Sequence, residues 1–87
     1  MLNIEEEGFA FKYEEKGNHN KVYTKPYKNH PKGYSDIMID VIYNDKNDWV
    51  LICQGDNETL WEDWKTMFDG QIRNQQDFKK VLDMVII

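Results

Sequence analysis

The sequence is poor in the residues from which catalytic and metal sites are usually built. Cys53 is the single cysteine, so an internal disulfide is excluded and a reducing, cytoplasmic setting is expected. The two histidines, His19 and His30, lack the two further Cys or His ligands that a structural zinc site needs. No glycine-rich phosphate loop and no nucleophile triad is present. We therefore predict no enzyme, no cofactor and no metal, and a buried Cys53 in the core.

Long apolar runs are also missing. No segment approaches the roughly 20 apolar residues that a membrane-spanning helix needs, and the start, MLNIEEEGF, is acidic where a signal peptide is basic. A content of 40% apolar residues is too rich for a disordered chain. The 87 residues suit one domain, residues 1–87, with one modest core. We expect a cytoplasmic protein that does not cross a membrane.

Alternation of apolar and polar residues predicts an antiparallel sheet. Residues 9–24 favour a hairpin with a turn at 16–20, and a loop follows to about residue 34. Residues 36–43 and 49–54 predict a second hairpin with an Asn/Asp-rich turn between them. We expect Tyr43 to pair with Trp49. In that register Val41 meets Leu51 and Ile39 meets Cys53, which gives one continuous apolar face.

Two helices are predicted after this hairpin. The first begins near Asn57, where an N-cap residue is followed by an acid, and ends before Gly70. The second begins near Asn74, with Asp77 in a capping-box arrangement. Their apolar stripes are Leu60, Trp61, Trp64, Met67 and Phe68 in the first helix, and Phe78, Val81, Leu82 and Val85 in the second. The predicted class is α+β: an antiparallel sheet of two to four strands with two C-terminal helices packed on one face.

Charge is unevenly distributed, although the net charge is −5. Residues 16–35 carry five lysines and no acid, and tyrosines interleave with these lysines. Rings can stack on bases while lysines neutralise phosphates, so this segment is a candidate nucleic-acid site. The alternative is a solvated loop whose tyrosines fold back over the sheet. The candidate residues are Lys21, Tyr23, Lys25, Tyr27, Lys28 and Lys32.

The acidic residues form a second candidate surface. Duplex DNA carries one negative charge for about every 1.7 Å of its axis. Carboxylates presented at comparable spacing can therefore occupy a basic groove in a DNA-binding protein. The alternative is that the turn and the helix are polar only because they are exposed to solvent. The candidate partner-binding residues are Asp45, Asn47 and Asp48 in the predicted turn and Glu62, Asp63 and Asp69 on the first predicted helix.

The stretch IYNDKNDWVLICQGDNETLWEDWKTMFDG, followed by QQDFKKVLDMVI, resembles the second half of a small acidic family of phage anti-CRISPR proteins, which inhibit type II Cas9 nucleases. The resemblance covers about residues 42–85 and lies in the order and spacing of the parts. It differs from the family at Lys46, where the family has glycine, at residues 73–76, where the family has an acidic run, and over residues 1–35.

The resemblance implies a DNA mimic that fills the cleft in which Cas9 reads its PAM with a pair of arginines. The family's turn acids match Asp45, Asn47 and Asp48 here. The expected function is therefore a phage or prophage inhibitor in the cytoplasm of the bacterial host. Its expected partner is a host protein with a basic nucleic-acid-binding cleft, and no small-molecule substrate is expected.

Overall fold

The described residues of the computed structural model, 1–27, 37–56 and 63–85, form an antiparallel sheet of five strands. The strands are β1 (Ala10–Glu14), β2 (Lys21–Pro26), β3 (Ile37–Asn44), β4 (Trp49–Asp56) and β5 (Lys65–Gln71), and they lie in the order of the sequence. A short 3-10 helix, Glu5–Glu7, precedes the sheet, and helix α1, Gln75–Val85, follows it. The α+β class was predicted, but the number of strands and helices was wrong.

The first predicted helix is the main error. Residues 65–71 form strand β5, which pairs with β4, and residues 57–62 of the prediction lie outside the described residues. The aromatics that matched a helical stripe belong to opposite faces of the sheet. Phe68 pairs with Ile52 and packs against the core beneath α1, whereas Trp64 packs in a second cluster with Val22 and Ile42. Tertiary pairing along β4 therefore overrides the local helical pattern.

The hairpin of β3 and β4 was predicted, but its register is shifted by one residue. Asn44 pairs with Trp49 and Tyr43 pairs with Val50, so the turn contains the four residues 45–48. Side chains alternate between faces along a strand, and a shift of one residue exchanges the faces of a whole strand. Val50 and Ile52 consequently join the core beneath α1, and Trp49, Leu51 and Cys53 belong to the other face.

The predicted N-terminal hairpin is also present, as β1 and β2. Its first strand is exposed throughout, because β1 is at the edge of the described sheet and the register shifts between Phe11 and Tyr13. Bulges of this kind are common on edge strands, where they disrupt regular pairing.

Helix α1 begins where the sequence predicts. The Asn74 Oδ1 accepts a hydrogen bond from the Asp77 backbone N–H at 2.8 Å, and the Asn74 side-chain amide donates to the Asp77 carboxylate at 3.0 Å. Phe78 and Leu82 are buried against the sheet, as predicted, and Val81 and Val85 pack at the rim of the same cluster. We call this side of the sheet the helix side.

The N-terminal segment completes the core on the helix side. Leu2, Ile4 and Phe9 are buried there. Asn3 and Gln75 make a reciprocal pair of hydrogen bonds: the Asn3 N–H donates to Gln75 Oε1, and Gln75 Nε2 donates to the Asn3 carbonyl oxygen, both at 2.8 Å. These bonds join the beginning of the chain to the first turn of α1.

The opposite side of the sheet, which we call the second face, has a smaller core. Val22, Ile42, Cys53 and Trp64 are buried there. Asp40 is fully buried on the same face, and the Lys12 Nζ approaches its carboxylate at 3.2 Å. Buried carboxylates need a partner of this kind, because removing a charge from water is costly.

Candidate functional site

The turn of residues 45–48 is held in one conformation by its own amide side chains. The Asn44 Oδ1 accepts from the Lys46 N–H at 3.0 Å, and the Asn47 Oδ1 accepts from the Trp49 N–H at 3.2 Å. Such contacts are the Asx turns that make Asn common in loops. Asp48 has φ +57°, a left-handed conformation that Asp tolerates better than most residues.

Neighbouring segments fix the turn from both sides. The Asn44 side-chain amide donates to Asn20 Oδ1 at 2.9 Å, which anchors it to the turn between β1 and β2. On the other side, the Ile72 N–H donates to the Asp48 carbonyl oxygen at 2.9 Å, and Gln71 Nε2 donates to the Asn47 carbonyl oxygen at 3.0 Å. The turn is thus part of the sheet's end and is positioned by the fold.

Asp45 and Asp48 are half-buried at this end of the sheet, and Asn47 and Lys46 are exposed. Neither carboxylate forms an ion pair with a residue that the structure describes. Lys46 forms none with them either, although it lies between them in sequence. The two carboxylates are therefore not neutralised by the chain's own described lysines.

The other predicted partner-binding acids are separated by the fold. Asp69 is an exposed residue of β5, where it lies diagonally across from Trp49: Leu51 pairs with Asp69, and Trp49 pairs with Gln71. Asp63 is exposed but precedes Lys65, the far end of β5, which lies roughly 20 Å from Gln71 at about 3.3 Å per strand residue. Glu62 lies outside the described residues. Of the predicted acids, Asp45, Asp48 and Asp69 consequently lie together at the end of the sheet that carries the turn of residues 45–48.

Trp49 is the residue of this end that the sequence reasoning missed. The predicted register placed it in the core, yet 43% of its surface is exposed. Its indole Nε1–H donates to the Asp69 Oδ1 at 2.6 Å. The signal in the sequence was Asn44, because an Asx turn beginning there favours the four-residue loop that turns Trp49 to the second face.

The four described residues of the alternative nucleic-acid site do not come together as predicted. Tyr23 is buried on the helix side, where its ring packs edge-on against Phe11 with the centroids 5.6 Å apart, so it offers no free face for a base. The Lys25 Nζ donates to the Glu7 carbonyl oxygen at 3.3 Å and lies 4.5 Å from the Phe9 ring centroid. Tyr27 packs against the core, and Lys21 is half-buried. Lys28 and Lys32 lie outside the described residues.

Burial raises the pKa values of two core tyrosines, Tyr23 and Tyr43, above the ordinary value of about 10. For Tyr43 a hydrogen bond from the Leu2 N–H, 3.0 Å long, acts in the opposite direction, and the charges of Asp48 and Asp45 raise the pKa further.

These raised pKa values predict that the protein loses stability at alkaline pH. The unfolded chain releases these phenolic protons at lower pH than the folded chain, so the free energy of unfolding falls as pH rises above about 10. Tyr43→Phe is expected to lessen that decline, measured by urea unfolding between pH 7 and pH 11. Tyr13→Phe, which removes a hydroxyl at the surface, is the matched control. An identical decline in Tyr43→Phe and in the parent chain would contradict the assignment.

Cys53 is buried, as the sequence predicts. Burial raises the pKa of its thiol, while a hydrogen bond with the Thr66 side chain acts in the opposite direction. A raised pKa keeps the thiol protonated at neutral pH, and the thiolate is the nucleophilic form. The local environment therefore does not activate Cys53. Within the described ranges, no group of three or more His, Cys, Asp or Glu residues is placed to hold a metal ion.

A cleft of about 290 Å³ lies on the helix side, lined by Glu7, Lys25, Lys79, Leu82 and Asp83. Charged and polar side chains of the chain itself pair at this cleft. The Glu7 carboxylate accepts from Gln75 Nε2 at 2.8 Å and lies 4.0 Å from the Lys79 Nζ. The contacts of Glu7 thus join α1 to the N-terminal segment. The cleft lies away from the turn of residues 45–48, since its Lys25 pairs with Ile39 towards the other end of β3.

No helix in the described part of the chain is long and apolar enough to cross a membrane. Comparison with known proteins gives no relative from which to read a role: no protein family matches the chain, and no similar curated protein or solved structure was found.

Proposed function

We propose that this chain is a non-catalytic inhibitor, encoded by a phage or prophage, that binds a host Cas9-type nuclease at its DNA-binding site. The single observation that carries the proposal is the turn of residues 45–48, which holds Asp45 and Asp48 at the end of a rigid sheet without an ion pair to any described residue. Carboxylates held in this way can replace phosphates against a basic cleft, because both groups are anionic acceptors for Lys and Arg.

Rigidity supports the proposal as much as charge does. Hydrogen bonds from Asn44, Gln71 and Ile72 fix the turn before any partner arrives. A turn fixed in this way loses little conformational entropy on binding, and this cost otherwise weakens association. The excess of acidic residues in the whole chain would also speed its approach to a basic partner.

The test is inhibition of a panel of Cas9 orthologues, each loaded with guide RNA and measured for target-DNA binding. At least one orthologue should be blocked by the parent chain. Asp45→Lys combined with Asp48→Asn should weaken the block more than tenfold, because close charge pairs across interfaces contribute about 1.5–7 kcal/mol. Asn is chosen at position 48 because it tolerates the left-handed conformation there.

The matched control is Glu6→Lys combined with Asp83→Asn, which makes the same change of charge at exposed residues elsewhere on the molecule. This variant should inhibit as the parent does. If the turn variant also inhibits as the parent does, the turn is not the working surface. If no orthologue is blocked and the chain itself binds duplex DNA in a salt-sensitive way, the proposed mimicry is wrong.

A further inference from the structure

The side chains of Trp49 and Asp69 form a pair beside the turn, and this pair is unusually exposed. A tryptophan has a large apolar surface, yet 43% of Trp49 is open to solvent. Its ring orientation is nevertheless fixed, since the indole Nε1–H donates to Asp69 Oδ1 at 2.6 Å across the neighbouring strand. A rigid exposed ring beside a charged group is typical of a binding surface, where Trp is among the residues that most often dominate affinity.

The carboxylate of Asp69 has acceptor capacity to spare. Only its Oδ1 is used by the indole, and Oδ2 makes no hydrogen bond to a residue of the described ranges. Asp69 also forms no ion pair within those ranges. Strand β5 is the last strand of the described sheet, so Asp69 lies on an edge that can be approached from the side.

We infer that Trp49 and Asp69 form a binding site for one arginine side chain of the partner. A guanidinium can stack on the exposed indole face while its N–H groups donate to Asp69 Oδ2. The charge of this end favours a cation, because Asp45 and Asp48 lie in the turn that immediately precedes Trp49. Arginine suits the site better than lysine, since its planar and weakly hydrated guanidinium both stacks on rings and donates in a fixed fork.

The inference rests on the proposed function and extends it. Arginines in nucleic-acid-binding clefts stack on bases as well as pairing with phosphates. The turn carboxylates of this chain would replace phosphates, and the Trp49 ring would replace a base. The partner is thus expected to present at least two cationic side chains, one to the turn and one arginine to the ring.

The direct test uses N-acetyl-arginine amide as the probe and the indole N–H signals of the ¹⁵N-labelled full chain as the readout. Trp49→Phe identifies the Trp49 signal among those of the three tryptophans. We expect this signal to shift saturably with the arginine probe, and at least threefold higher concentrations of N-acetyl-lysine amide to be needed for the same shift. Asp69→Asn should weaken the arginine response at least threefold while an asparagine oxygen still accepts the indole N–H.

The outcomes separate this inference from the proposed function. Equal responses to arginine and lysine, a shift that does not saturate, or an unchanged response in Asp69→Asn would overturn the arginine site, whether or not the chain inhibits a nuclease. Loss of inhibition in the turn variant with the arginine response intact would support both assignments separately. In the inhibition assay, Asp69→Asn should weaken the block at least threefold, and an undiminished block would exclude Asp69 from the interface.

Discussion

Replacing Phe78 with alanine is expected to lower the free energy of unfolding by about 3–5 kcal/mol. Phe78 is completely buried and is the largest fully buried side chain of the described core, where it attaches α1 to the helix side of the sheet. Its removal would leave a cavity between these two layers, which the surrounding strands can fill only in part. Because the free energy of unfolding of a native protein is only about 5–15 kcal/mol, this substitution would remove a large share of it.

Urea unfolding followed by far-ultraviolet circular dichroism measures this loss. Met84→Ala is the matched control, because Met84 belongs to the same helix and is 73% exposed. Its replacement should change the free energy of unfolding by no more than about 0.5 kcal/mol. Similar losses in both variants would contradict the assignment, because alanine favours the helix at both positions and only Phe78 is buried against the sheet.

Gly55→Ala is expected to have the next largest effect on stability, a loss of about 1–3 kcal/mol from overpacking. A Cβ atom at position 55 would overlap the Trp64 ring at its Cγ atom, so the indole would have to move. Trp64 is buried on the second face in the cluster with Val22, Ile42 and Cys53. Glycine is thus needed at position 55 because the Trp64 ring packs directly against its Cα.

The explanation can be checked with a double-mutant cycle. In a Trp64→Leu background the smaller side chain leaves room for the new methyl group, and Gly55→Ala should then cost at least about 1 kcal/mol less than in the parent chain. Additive effects of the two substitutions, measured by urea unfolding, would show that the indole is not what excludes a side chain at position 55.

Elements with local signals could be predicted from the sequence. Helix α1 has an N-cap at Asn74 and an apolar stripe, and both appear as expected. The hairpin of β3 and β4 was predicted from alternation, but its register depends on whether the loop has four or five residues. That choice is made by the hydrogen bonds of Asn44 and Asn47 and cannot be read from hydrophobicity alone.

Strand β5 could not be predicted in this way, because its pairing with β4 is a long-range interaction. Its aromatics have helical spacing, yet the edge of β4 offers backbone hydrogen bonds and two apolar faces at once. The consequence for the site is direct. Asp69 was assigned to the solvent side of a helix, and its contact with Trp49 became visible only when both residues were placed on neighbouring strands.

The reciprocal hydrogen bonds between Asn3 and Gln75 have a consequence for folding during synthesis in the cell. The ribosome releases the N-terminal part of a chain first, but Gln75, whose side-chain amide binds Asn3, is synthesised 72 residues later. Leu2 can contact Tyr43 before then, but the helix side stays uncovered until α1 has emerged, and during that interval its apolar surface is open to chaperones or to other nascent chains. The speed at which residues 75–85 are translated should consequently influence how much of the protein escapes aggregation.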